Sequence, residues 1–73
     1  MNQPELSARE LEVLHEYFKD KPNKAVAQSL GISIKTVEKH RSSIYQKLNC
    51  NSAIGMVLTA QRLGLVKEQI VNP

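Results

Sequence analysis

Four cations, Lys35, Lys39, Arg41 and Lys47, fall within residues 35–47, where Glu38 is the one acid. Ammonium and guanidinium groups bind phosphate through charge, and Ser42 and Gln46 among them can exchange hydrogen bonds with a base edge. The chemistry on offer is therefore recognition of a polyanion. Catalysis lacks its parts: the chain has no glycine-rich phosphate loop, no carboxylate pair in an apolar setting and no nucleophile with a base beside it. No enzyme activity is expected. Cys50, His15 and His40 make no metal-ligand spacing, so no metal or other cofactor is expected either.

These side chains need a helix to bring them to one side. Read as a helix over 34–48, Val37, Ile44 and Leu48 line one face with Ile34 beside them. Lys35, Lys39, Ser42 and Gln46 fall opposite, flanked by Glu38 and Ser43. Upstream, a short helical pattern over 24–30 stops at Gly31, and Ser33 stands ready to cap the next helix. A helix, a tight turn and a helix is the DNA-binding helix-turn-helix arrangement, whose second helix enters the major groove. The same spacing also suits an αα-hairpin with a solvated basic face, and spacing alone leaves both open.

The remaining elements frame this unit. Residues 1–5 read as a flexible lead-in or linker remnant, and Ser7 with Glu10 forms a Ser-x-x-Glu capping box that starts a helix over 8–20. Val13, Leu14, Tyr17 and Phe18 give that helix its inward face. Glu10 is read as a capping residue, with a tethering ion pair as its alternative. Pro22 closes the helix and Asn23 can cap the next, in which Val26, Ala27 and Leu30 face inward. After a turn at Asn49, Cys50 and Asn51, a fourth helix over 53–63 starts at a Ser52 or Asn51 cap and ends at Gly64. It is apolar almost all round. Met56, Val57 and Ala60 can face a core, leaving Ile54, Leu58 and Gln61 for a self-association surface. Alternatively Leu65, Val66, Ile70 and Val71 fold back over it. The expected fold is all-α, a compact four-helix domain over 6–66 followed by a tail at 67–73.

With 73 residues the chain is one domain at most, near the size at which a core can hold a fold without staples, and lone Cys50 forbids an internal disulfide. Residues 1–20 set Arg9 and Lys19 against Glu5, Glu10, Glu12, Glu16 and Asp20, a net −3, so the remainder carries +6 of the overall +3. A basic helix beside an acidic one favours an oriented approach to a polyanion. Tyr17, Phe18 and Tyr45 are too few for a single-strand stacking platform. No apolar run reaches a membrane span and no secretory signal is visible, so a soluble cytoplasmic protein without membrane contact is expected.

Six linked motifs in register then narrow the reading: Leu6-Ser-x-Arg-Glu-x-x-Val-Leu14, Asn23-Lys-x-Val-Ala27, Leu30-Gly-Ile-Ser33, Thr36-Val-x-x-His40, Ile44-x-x-Lys-Leu48 and Ala60-x-x-x-Gly-Leu65. Over about residues 6–66 the chain resembles the LuxR-type (GerE-like) helix-turn-helix domain, the output module of bacterial quorum-sensing regulators and of NarL/FixJ-class response regulators. Thr36-Val-Glu-Lys-His-Arg41 is most similar to the response-regulator branch.

The resemblance implies a tetrahelical domain of a transcriptional regulator. Its third helix would read double-stranded promoter DNA, and its fourth would form a homodimer on an inverted repeat. Carried onto this sequence, Glu38, Lys39 and Ser42 take base-facing positions with Lys35 close by. Asn23, Lys24, Thr36, His40, Arg41, Ser43 and Lys47 take phosphate-contacting or helix-orienting positions, and Ile54, Leu58 and Gln61 the dimer face. RNA polymerase is a further candidate partner, and no small-molecule ligand is implied for this domain. The chain departs from the family pattern at Glu38, where lysine is common, at Asp20 for glycine, at Pro22 for a small polar residue and at Ala53 for arginine. Two other readings stay open: an interaction module that sequesters a full-length regulator through helix 53–63, and a σ-factor promoter-recognition domain, which the fourth helix fits less well.

Overall fold

The computed structural model describes residues 5–66 as four helices and, among those residues, no strand: α1 Ala8–Phe18, α2 Asn23–Leu30, α3 Ile34–Leu48 and α4 Ala53–Arg62. Each boundary has a local cause. At α1 the Ser7 Oγ accepts from the Glu10 N–H and the Glu10 carboxylate accepts from the Ser7 N–H, a complete capping box. The helix stops at Phe18, two residues short of the sequence expectation, because Asp20 turns left-handed (φ 64°) and its N–H reaches back to the Tyr17 carbonyl. Helix α2 begins at Asn23, not 24, behind Pro22 at the N-cap, whose fixed φ suits helix entry. Contrary to the sequence expectation, Asn23 does not cap α2; it is the first residue of the helix, and its side chain accepts a hydrogen bond from the Tyr17 hydroxyl instead.

Gly31 (φ 69°) ends α2, and the Ile32 N–H closes on the Ala27 carbonyl at 3.1 Å, the Schellman pattern that satisfies a terminal carbonyl. Two residues later the Ser33 Oγ accepts from the Thr36 N–H at 3.1 Å, so α3 starts without a linker. Asn49 (φ 56°) ends α3 in the same way, with the Cys50 N–H on the Tyr45 carbonyl. Ser52 caps α4 by accepting from the Gly55 N–H, and Arg62 is its last residue, with Leu63 as C-cap.

Helix α3 packs against the other three, and α1 also touches α2 and α4. Val13, Leu14, Val26, Val37, Ile44, Met56 and Ala60 meet in a core from which water is fully excluded, closed at one end by buried Val66. Val66 and half-buried Leu65 thus follow α4 inward; Ile70 and Val71 lie outside the described residues. Among those residues no helix is long and apolar enough to cross a membrane.

Candidate nucleic-acid interface

Burying Val37, Ile44 and Leu48 turns the other side of α3 outward. Lys35, Glu38, Lys39, Ser42 and Gln46 are all exposed, and none of their side chains has a hydrogen-bond or ion-pair partner among the described residues. Lys24, in the first turn of α2, is likewise exposed. This strip of free donors and acceptors on a helix clamped from three sides can meet a groove without first breaking contacts within the protein. Thr36 and His40 lie half-buried on its flank, and the Thr36 hydroxyl shares a hydrogen bond of 2.9 Å with Ser33 at the helix start.

Four other side chains expected to touch phosphate are already engaged inside the fold. Asn23 is bonded to Tyr17. The Arg41 guanidinium lies 5.7 Å from the centre of the Tyr45 ring, a cation–π distance, with its Nε buried. Ser43 donates to Glu10 Oε2 at 2.5 Å, and Lys47 Nζ donates to Glu10 Oε1 at 2.8 Å. Glu10 is therefore both a cap and a tether, the two roles the sequence presented as alternatives. Burial would raise its carboxyl, but donation from Lys47, Ser43 and the Ser7 N–H outweighs that and lowers it from 4.5 to about 2.

The acidity of α1 is consumed in the same manner. Glu12 pairs with Arg9 at 2.9 Å, and Glu16 takes Lys21 at 2.8 Å and Lys19 at 4.0 Å. The Lys21 hydrogen bond holds the Glu16 carboxyl below its ordinary value against a smaller opposing push from burial. Lys21 also donates to Ser29, which fastens the α1–α2 loop to α2.

On another side of the domain, α4 buries Met56 and Ala60 and leaves Ile54 73% and Leu58 58% exposed. Together with Phe18, Pro22, Val57 and Arg41 these two exposed residues line an open groove of about 490 Å³. Gln61 is exposed farther along the helix. Among the described residues no group of three His, Cys, Asp or Glu side chains could hold a metal ion.

The sequence profile of the family "GerE: Bacterial regulatory proteins, luxR family" matches residues 4–60. This chain belongs to that family. The LuxR-type domain is 43% identical over 61 residues, 84% of its length, to the uncharacterized response regulatory protein YgeK of Escherichia coli K12. It is 51% identical over 47 residues, 64% of its length, to the oxygen regulatory protein NreC of Staphylococcus carnosus. The chain spans only 42% and 22% of those two relatives. A solved structure of the transcription factor GerE superposes with a TM-score of 0.79 at 34% identity, covering 85% of this chain and 92% of that one. Its helix-turn-helix is thus the LuxR type, and the αα-hairpin alternative falls away.

Within the LuxR-type domain several structural contacts escaped sequence reasoning, Tyr17 with Asn23 among them. Tyr45 seats Arg41 four residues away, a spacing that could have been read as a helical pair. Ser43 and Lys47 reach Glu10 across 33 and 37 residues, where no local signal pairs them. The one available hint was that Glu10 projects toward the packed side of α1.

Proposed function

We propose that the domain binds double-stranded DNA sequence-specifically, with α3 in the major groove and no chemistry of its own. The observation that carries this reading is the exposed strip Lys35, Glu38, Lys39, Ser42 and Gln46, free of internal partners on a clamped helix of the LuxR-type fold. Lys35, Lys39 and Ser42 donate to base edges, and Glu38, an acceptor that repels phosphate, selects a cytosine amino group. Lys24, Thr36 and His40 face the phosphates, where the free N–H groups at helix starts add positive potential. The exposed Ile54 and Leu58 support homodimerisation through α4, which would place two α3 helices on an inverted repeat. The protein then acts as the output part of a cytoplasmic bacterial transcriptional regulator, in which RNA polymerase is a partner of the bound dimer.

The test is a fluorescence anisotropy titration of promoter-like duplexes at two salt concentrations. Lys39→Ala should weaken specific binding by about 1–3 kcal/mol, and Lys39→Ala/Ser42→Ala should abolish the preference among duplexes. Weak, steeply salt-dependent binding unchanged in both variants would remove α3 as a reader. The same apolar α4 face favours a second reading, a module that sequesters a full-length regulator by heterodimerisation. That reading predicts no sequence preference and capture of a LuxR-type partner through Ile54 and Leu58.

A further inference from the structure

The Glu10 carboxylate takes three donors at once. Oε1 accepts from the Ser7 N–H at 2.9 Å and from Lys47 Nζ at 2.8 Å, and Oε2 accepts from Ser43 Oγ at 2.5 Å. It is only 6% exposed, whereas 39% of the Lys47 side chain remains open to solvent. Ser43 and Lys47 stand one helical turn apart on α3, so the carboxylate grips the helix at two points and opposes both its rotation and its sliding. At its start α3 is fixed by the Ser33 cap and the Gly31 turn.

We infer that Glu10 is a positioning residue for DNA recognition, and that Lys47 and Ser43 serve as its anchors on α3 instead of as phosphate contacts. This rests on the DNA-reading function proposed above. To reach a phosphate Lys47 would have to abandon a buried carboxylate, leaving a charge without its partner, and that loss opposes the gain from a solvated phosphate. The cation is already neutralised, so it brings no counterion release of its own. Lys24, Lys35 and Lys39, which have no such partner among the described residues, supply that part of the binding. The distinction is between holding the reading helix still and touching the ligand.

Salt dependence separates the two. Lys47→Met, Lys47→Arg and Ser43→Ala would be titrated over a series of salt concentrations with two short duplexes. One is selected by the unsubstituted chain from a random library and the other is of random sequence. For Lys47→Met the slope of log affinity against log salt should stay within about 0.3 of the parent, whereas Lys39→Met should lower its magnitude by about 0.9. The preference for the selected duplex should fall about tenfold in Lys47→Met, as expected of a coupled pair, and return in Lys47→Arg. Ser43→Ala, which keeps the ion pair and the fold, should lower the preference several-fold at unchanged slope. A slope loss of about 0.9 in Lys47→Met with the preference intact would make Lys47 a phosphate contact and overturn the inference. An unaltered preference in both Lys47→Met and Ser43→Ala would reduce the tether to a stabilising role and overturn it as well. If the unsubstituted chain selects no duplex, the DNA-reading function itself fails, an outcome distinct from either.

Discussion

At the scale of single residues, the domain divides its charges into those spent on the fold and those left for a ligand. Glu10 belongs to the first set, and its carboxyl, lowered from 4.5 to about 2, links stability to pH. Because the folded state prefers the ionised form, the stabilisation is fully present above about pH 4.5 and disappears as the pH falls toward 2. The partly open Lys47 end screens the pair, so the contribution is ~2 kcal/mol. Denaturant unfolding at pH 6 and pH 3 should show the parent losing more stability than Glu10→Gln across that interval. Equal losses would place the acid sensitivity elsewhere, with Glu16, also lowered, as the next group to test. Tyr17 behaves oppositely: burial raises its hydroxyl, and the nearby Arg41 charge offsets only part of this.

At the scale of elements, the chain states its helices plainly because starts and stops are local. Ser7, Ser33 and Ser52 each accept a backbone N–H at a helix start, and Gly31 and Asn49 each take the left-handed turn that ends one. The exception lies between α1 and α2, where Asp20 rather than glycine adopts φ 64°. A Cβ in that conformation is strained, and a carboxylate beside a helix C-terminus meets its negative end. Asp20→Gly should therefore raise stability by about 0.5–1 kcal/mol, the relief of strain exceeding the entropy glycine restores to the unfolded chain. Thermal unfolding followed by circular dichroism would register a higher midpoint; a lower one would show that the aspartate makes a compensating contact. By residue type alone Asp20 reads as an ordinary polar residue, so the early end of α1 had only one sign in the sequence, the family's glycine at that position. The missing Asn23 cap was hidden because its competitor, the Tyr17 hydroxyl, arrives from the preceding helix.

At the scale of the whole molecule, two exposed faces and one buried tether share a single small core. The α3 strip faces one way, the Glu10 tether ties α3 to α1, and Ile54 and Leu58 stand exposed along the groove. Replacing both apolar residues, Ile54→Ser/Leu58→Ser, should change the unfolding free energy by no more than about 0.5 kcal/mol per site, since neither side chain is in the core. Sedimentation should show the proposed α4 dimer weakened, and binding to an inverted-repeat duplex should fall far more than binding to a single half-site. Unchanged sedimentation would move the self-association surface off α4. The core, the helix order and the exposed polar strip of α3 could all be seen in the periodicity of the sequence. What stayed hidden were the contacts joining distant segments, Glu10 to Lys47 above all, which depend on how the helices cross.

The strip Lys35, Glu38, Lys39, Ser42 and Gln46 has a consequence for divergence. These side chains hold nothing in the domain together, so exchanges among them carry little penalty in folding. If α3 reads DNA as proposed, recognition can drift from one target to another while the scaffold stays intact. On the proposed function, a new set of five side chains at these positions would be a transplantable address, changed without first acquiring spare stability.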